Sequence, residues 1–600
     1  MLAEYTRLDL PLDNLLGFGA TDIAETALAA GALAILAGRV WAGKRIVEFA
    51  GTTRRCIWLL IGLAFLLRVL LLPQHPVPTP SGADDFSYLL LGDTLAHGRL
   101  ANPVHPLHQF FEAVFVLQTP SYSSIFPLGQ GLVLAAGKIL FGEPWVGVLL
   151  SESVLCGLCY WMLRGFVKPV WALAGGLLAV AEFGPLCAWM NLYWGGAVAG
   201  IAGCLVFGSL PRWCETRHWR WALLGGAGLG LHLLARPFET FFLAASAVAF
   251  LIWEQREKVA AWPWRQAAFA SAGVLAAVLL TALQNRAVTG RWTEMPYQAS
   301  RYQYGLPATL TFQANAVPHN PLTLEQKAQY EAQAAMHGDG DNAARFWQRM
   351  GYRLRFVRFF LYPPLYLALF ACLWRLREKR VIWVLGTVLL FAVGTNFYAR
   401  FYAHYVAALT CLFLLLAVLG LEQFWRWEWR GVNWGRAAAG IVLALSLARF
   451  VFWYGLHLFG SAQANLALTP YESWDYLDSS DAAGRAPVER ILAARPGKQL
   501  VFVRYSPAHR FPEWIYNDAA IDQSRVVRAA DLGTNENQKL LHYYPDRTAW
   551  LLEPDVWPPR LTLYSEVTSP PAEQEKPPAQ VPGKEQKKGA KVSDWLEPVK

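Results

Sequence analysis

The sequence predicts an all-α polytopic membrane bundle of about 11–12 transmembrane helices, followed by a small C-terminal α/β extramembrane domain. Three observations point there. Hydrophobic residues fill 54% of the 600 positions and charged residues only 16%, whereas a soluble domain carries about a quarter charged residues. Apolar runs close to the roughly 20 residues needed to cross a bilayer recur along the chain. Between those runs, the basic clusters all land on one side when the spans are counted in order.

From the N-terminus, residues 1–55 read as a cytoplasmic or interfacial segment. Met1–Gly17 is too polar for the apolar region of a cleavable signal peptide. Thr26–Ala42 is Ala-rich and weakly apolar, either an extra span or an interfacial helix. The membrane domain covers 56–459, with spans expected at 56–73, 144–163, 170–190, 195–211, 221–235, 238–254, 266–283, 356–374, 381–398, 401–421 and 437–459. The clusters Arg39/Lys44/Arg45/Arg54/Arg55, Arg164/Lys168, Arg212/Arg217/Arg220, Arg256/Lys258/Arg265, Arg375/Arg377/Lys379/Arg380 and Arg426/Arg430/Arg436 mark the cytoplasmic side. Loops 74–143 and 284–355 and everything beyond 460 then lie outside. The side opposite the basic clusters is then the extracytoplasmic one.

The first outer loop is expected to lie along the membrane. Phe86, Leu89, Leu90, Thr94 and Leu100 recur near helical spacing, with Asp93 and His97 elsewhere on the turn, predicting a helix over 86–97. Leu128–Leu140 is apolar but too short to span. The second outer loop carries a Tyr/Gln-rich segment, 297–313, and a polar helical stretch around 322–349. In the domain expected at 460–568, Lys498–Tyr505, Arg525–Ala529 and Ala549–Leu552 read as strands and Asn535–Tyr544 as a helix. The tail 569–600 is rich in Pro, Lys, Glu and Gln, a composition that predicts disorder.

The formal charge of +9 is explained by orientation signals and lipid contacts. No basic stripe with interleaved aromatics follows a soluble fold, so nucleic-acid binding is excluded as a function class. All eight cysteines lie in spans or at their ends, which leaves no disulfide framework; Cys156-x-x-Cys159 reads as small apolar packing. The glycines at 196/200 and 226/230 are small-xxx-small pairs for helix packing.

The chemistry concentrates at the outer face. Asp84 and Asp85 stand side by side just after the first span, where adjacent carboxylates repel and resist burial. Either they cap the next helix, or one is a general base at the bilayer surface. Short outer turns should be poor in Arg, yet Arg236 (in Leu-Ala-Arg-Pro-Phe-Glu239) and Arg400 (in Tyr398-Ala-Arg-Phe-Tyr402-Ala-His404-Tyr405) occupy two of them. One reading is an Arg236–Glu239 pair with an aromatic anchor; the other is a phosphate site, since the guanidinium fork matches phosphate oxygens. Arg68, inside the first span, either snorkels outward or points into the same cavity. Asn191, Tyr193 and Trp194 mark another outer turn, suited to an aromatic belt or to sugar stacking. His97, His105, His108 and Glu112 fit no standard zinc spacing and read as loop polar groups.

Taken together, Asp84-Asp-Phe-Ser-Tyr88 with a helix ending at His97-Gly-Arg-Leu-Ala-Asn-Pro103 resembles the first-loop Asp-Glu-Phe-Ser-Tyr motif of bacterial GT-C-fold, family 39-like membrane glycosyltransferases. These are related to protein O-mannosyltransferases and lipid A aminoarabinose transferases. Ser124-Ile-Phe-Pro-Leu-Gly-Gln130-Gly, Asn191-Leu-Tyr-Trp-Gly-Gly196, Arg236-Pro-Phe-Glu239, Tyr302-Gln-Tyr304 and His404-Tyr405 extend the resemblance over about residues 55–560. The chain departs from the pattern at Asp85, where the family usually has Glu, and at Phe126-Pro-Leu128, where it has Tyr-Pro-Pro.

The resemblance implies an inverting transferase that moves a sugar from a polyprenyl-phosphate donor to a hydroxyl of a lipid, glycan or protein acceptor. Asp84 would be the base, with Asp85 orienting it or binding acceptor. Arg236 and Arg400 would hold the donor phosphate, with His404 and Tyr405 near the leaving group. Tyr88, His97, Asn191, Tyr193, Trp194, Glu239, Tyr302 and Gln303 would line the substrate path. A lipid monophosphate carries less charge than a nucleotide diphosphate, so no metal or other cofactor is expected. The competing classes are a lipid or solute transporter, against which the absence of an internal repeat counts, and an O-antigen ligase- or polymerase-like transferase.

Overall fold

The computed structural model describes residues 44–255, 264–338, 340–355, 360–428, 430–431, 433–460, 477, 481, 484–509 and 512–567. The segment 26–42, the basic residues Arg39, Arg256 and Lys258, and the tail after Ser569 lie outside them. Every expected span has a helical counterpart: Thr53–Leu70, Pro144–Leu163, Pro169–Phe183, Ala197–Thr216, Trp219–Ala235, Pro237–Gln255, Trp264–Thr289, Leu365–Cys372, Lys379–Thr395, Thr410–Trp425 and Trp434–Phe459. Among the described residues, 6 helices are long and apolar enough to cross a membrane, and the chain is a multi-pass membrane protein. The rest differ from expectation for local reasons. Pro169–Phe183 stops short of 190 because Gly184-Pro185 breaks it, and Leu365–Cys372 starts only after Pro363-Pro364.

Close packing follows the small residues. A Cβ at Gly226 or Gly230 would run into the backbone of Ala270 or Gly273, so helices Trp219–Ala235 and Trp264–Thr289 touch main chain to main chain. The pair at 196/200 works differently: Gly196 makes room for the Trp189 ring and Gly200 for Leu155. The described cysteines are all free thiols.

The first-loop helix runs Ala83–Ala96. It begins ahead of the expected start at Phe86, which puts Asp84 and Asp85 inside its first turn instead of before it. The expected amphipathic surface helix is not what forms. Asp85, Phe86, Ser87, Tyr88, Leu90, Leu91, Asp93 and Thr94 are all buried, because the helix is sandwiched. On one side it meets helix Leu128–Phe141, where Gly131 admits Leu91 and Gly92 lies on Leu134. On the other side lies the C-terminal unit. Asp93, expected on the polar face, is buried against Lys138 Nζ at 2.6 Å and accepts the Ala519 N–H at 2.7 Å.

Two short strands, β1 (Val116–Leu117) and β2 (Ser123–Ser124), pair antiparallel in this loop. The C-terminal unit holds β3 (Lys498–Val503), β4 (Val526–Ala530), β5 (Arg547–Glu553) and β6 (Arg560–Leu563), in the order β4-β3-β5-β6. The first three are parallel and β6 is an antiparallel edge. The short β6 and helix Arg485–Ala494 were not expected from the hydrophobic pattern. Alternation along the strands divides their work. Leu500, Phe502, Val527, Ala529 and Leu551 face the first-loop residues Phe110, Phe111, Val116 and Tyr122. Val501, Val503, Trp550 and Leu552 face Val488, Leu492 and Trp514. The sheet therefore backs directly onto the loop that carries Asp84.

Candidate active site

Gly82 is the N-cap of helix Ala83–Ala96 and has no side chain to satisfy the first turn. Asp85, in the third helical position, instead accepts the backbone N–H groups that lead into the helix. Its Oδ2 accepts the N–H groups of Ser81 and Gly82 at 3.3 and 3.4 Å, and its Oδ1 accepts the Tyr193 N–H at 3.1 Å. Burial raises its carboxyl to about 6 against the pull of those donors. Asp85 thus ties the helix start to the turn at 191–196, a positioning task.

Asp84, one residue earlier, projects about 100° around the helix and is only half-buried. Burial raises its carboxyl to about 6, the Arg400 charge opposes that rise, Asp85 adds to it and Arg236 opposes it. Residues far apart in sequence therefore share one electrostatic site. Arg236 closes helix Trp219–Ala235 with extended backbone (φ −142°), as the following proline requires. Its guanidinium lies 4.6 Å from the centre of the Tyr405 ring, and its charge acts on Tyr88. Tyr88 is held by stacking on Phe126 at 4.1 Å. Arg400 lies 5.0 Å from the Tyr402 ring centre.

Glu239 is buried beside Arg236 and Tyr398, and its Oε1 has no hydrogen-bond partner among the described residues. The expected Arg236–Glu239 contact is thus electrostatic proximity, with no ion pair inside 4 Å. An aromatic wall continues outward: Trp194 meets Tyr402 and His404 edge-on at 5.1 and 5.0 Å, and His404 stacks on Tyr402 and abuts Tyr405.

Asp84, Arg236, Arg400, Tyr405, Tyr88 and Glu239 are brought together, with Trp194 and His404 on the adjoining wall. Other expected site residues are placed elsewhere. His97 is at the far end of the helix, roughly 20 Å from Asp84 by helical rise, bonded to the Asp93 carbonyl at 2.8 Å. Asn191 accepts from Arg68 Nε at 2.9 Å and donates to the Pro185 and Cys187 carbonyls, which uses its amide fully. The Tyr193 hydroxyl donates to the Pro78 carbonyl at 2.9 Å. Arg68 is buried and closes on the His75 and Pro76 carbonyls, so it neither snorkels nor enters the site.

Tyr302 is 63% exposed and stacks on His319, while Gln303 donates to the Thr119 carbonyl at 2.9 Å. On the same helix, Pro296–Tyr304, Tyr297 is the residue whose surroundings include Tyr88, Arg236, Tyr405 and Glu239. The Tyr/Gln-rich composition of 297–313 does not single it out, because only the helical phase, five residues on, turns Tyr302 about 140° away from Tyr297. His105 bonds Tyr544 at 3.1 Å and faces Asp522 at 3.3 Å; Glu112 accepts the Tyr304 hydroxyl at 2.8 Å. Among the described residues, no group of three or more His, Cys, Asp or Glu is arranged to hold a metal ion.

No protein-family profile and no curated protein sequence matches the chain. Solved structures match the chain at low identity and with TM-scores below 0.5. ArnT from Cupriavidus metallidurans bound to undecaprenyl phosphate is 12% identical with a TM-score of 0.45, covering 83% of this chain and 93% of that one. The archaeal oligosaccharyltransferase AglB from Archaeoglobus fulgidus, with an inhibitory peptide and a dolichol-phosphate, is 10% identical with a TM-score of 0.40, covering 83% and 69%. The apo Archaeoglobus fulgidus oligosaccharyltransferase is 12% identical with a TM-score of 0.40; the match covers 76% of this chain and spans only 62% of that one. Identity this low leaves residue roles to be read from this chain's own geometry.

Proposed function

We propose that this chain is a membrane glycosyltransferase that moves a sugar from a polyprenyl-phosphate donor to an acceptor hydroxyl at the outer, periplasmic face of a bacterial inner membrane. The observation that carries this reading is the half-buried Asp84 carboxylate under the charges of Arg400 and Arg236. A carboxyl raised to about 6 is ionised near neutral pH and remains basic enough to take a proton. Asp84 removes the acceptor hydroxyl proton as the oxygen attacks the anomeric carbon. The bond from that carbon to the donor phosphate breaks, and its electron pair leaves on the lipid phosphate. The carbon inverts, Asp84 ends protonated, and the released phosphate is met by guanidinium groups. Two arginines suit a monophosphate without a metal ion, and metal independence is part of the proposal.

The test is mass spectrometry of lipid-linked sugars and envelope glycans in cells whose only copy carries Asp84→Asn. Accumulation of a polyprenyl-phosphate sugar, with loss of one glycan modification, is expected. Unchanged profiles with normal membrane insertion would contradict the reading and favour a transporter that needs no base.

A further inference from the structure

Helix Lys379–Thr395 ends at the turn that carries Arg400, and its own last turn holds no basic side chain. The last carbonyls of a helix, and those of the turn that follows, find no partner within it. Here four successive ones, from Thr395 to Tyr398, are taken up by donors of the second outer loop. Arg353, on helix Ala343–Arg355, donates to the Thr395 carbonyl through Nε and Nη2 at 3.1 and 2.9 Å, and to the Tyr398 carbonyl through Nη2 at 2.6 Å. Arg349 Nε donates to the Asn396 carbonyl at 2.8 Å, and the Thr311 N–H to the Phe397 carbonyl at 2.8 Å. In return, the Asn396 side-chain amide donates to the Phe346 carbonyl at 3.1 Å.

Arg353 differs from the other donors in spanning the turn. It is buried, and its guanidinium lies 5.0 Å from the centre of the Phe401 ring. Its contacts therefore fall on both sides of Arg400: the Tyr398 carbonyl before it and the Phe401 ring after it. The rings beneath both site arginines hang from the same turn. Arg400 lies over Tyr402, whose ring meets Trp194, and Tyr398 packs at 4.9 Å against Tyr405, the ring under Arg236. A guanidinium presents its donors as a rigid planar fork, so it fixes two carbonyls at a set spacing better than a flexible ammonium does.

We propose that Arg353 is a positioning residue: it fixes the backbone on either side of Arg400 and so holds that guanidinium where the donor phosphate is bound. The part played by the phosphate rests on the function proposed above, whereas the grip on the turn does not. Arg353 itself touches no substrate in this reading, because its donors are spent on carbonyls. Its whole effect on the donor runs through Arg400.

Two measurements on the full chain in detergent micelles test this. Hydrogen exchange read by mass spectrometry should show protection of peptides spanning 395–402 falling roughly tenfold or more in Arg353→Met, with the strands of the C-terminal unit unchanged. Titration with undecaprenyl phosphate, read by native mass spectrometry, should show Kd raised roughly tenfold by Arg400→Gln and about three- to tenfold by Arg353→Met. Once Arg400 is gone, Arg353 has nothing left to aim, so the double variant should bind within about twofold of Arg400→Gln alone. Losses that multiply in the double variant, or unmodified affinity in Arg353→Met, overturn the proposal. If Arg400→Gln itself binds normally, the phosphate site of the proposed function is what fails. The exchange measurement then decides the grip, and unchanged protection of 395–402 in Arg353→Met overturns it. Should Arg353→Met not fold, Arg353→Lys keeps the charge, gives up the planar fork and replaces it in both measurements with the same expected directions.

Discussion

Arg68 and the pair Arg236/Arg400 are all arginines of the same bundle, and they are used in opposite ways. Arg68 is buried, donates to Asn191 and to the His75 and Pro76 carbonyls, and rests on Trp145. Its donors are closed by fixed acceptors, so it knots the first span to two loops. Arg236 and Arg400 lie over the rings of Tyr405 and Tyr402, and among the described residues neither side chain hydrogen-bonds a carbonyl. Their charges act instead on Asp84. A guanidinium satisfied by carbonyls holds a fold together, whereas one stacked on tyrosine keeps donors for an incoming anion.

The adjacent acids repeat the contrast: Asp85 is spent on three N–H groups, and Asp84 is not. Replacing each acid separately sharpens this comparison most. Asp84→Asn should cost roughly 10²–10⁴-fold in sugar transfer with an unchanged melting temperature. Asp85→Asn should instead lower stability by about 1–3 kcal/mol through its buried N–H partners. Equal losses of activity and equal melting temperatures in the two variants would erase the distinction.

Next in size, Arg236→Gln and Arg400→Gln should each reduce kcat/KM for the donor by roughly 10- to 100-fold, read in a steady-state transfer assay, with little change in melting. Arg68→Met should do the reverse. It strands the Asn191 carbonyl oxygen and two backbone carbonyls, a destabilisation of about 2–4 kcal/mol visible in a thermal melt, while the specific activity of the folded fraction holds. The smallest effect belongs to Tyr302→Ala: with its ring in solvent against His319, transfer should change by less than about twofold. A large loss there would move the substrate path to the outer face of helix Pro296–Tyr304.

The bundle was legible in its recurring apolar runs, and the meeting of Asp84 with two turn arginines was legible because charges in short turns and paired acids at a membrane edge are costly unless used. What escaped was set by contacts distant in the chain. Nothing near Asp85 announces that its carboxylate will accept the N–H of Tyr193, and nothing near Asn191 announces Arg68. The first-loop helix reads as amphipathic because the hydrophobic pattern cannot reveal a second partner: the loop between β3 and β4 covers the face that Asp93 occupies, and Ala519 donates its N–H to that carboxylate. Tyr297 was hidden within a tyrosine-rich run whose helical phase shows only once its first turn is known.

The most direct test of the central claim is the pH dependence of kcat/KM for sugar transfer, since a base must be ionised to act. Asp84, raised to about 6 by burial, should give an acid limb in which activity falls tenfold per unit below that pH, and the limb should persist in Asp85→Asn. A rate independent of pH between 4.5 and 7, or a limb that vanishes with Asp85 alone, would contradict the assignment of Asp84 as the base.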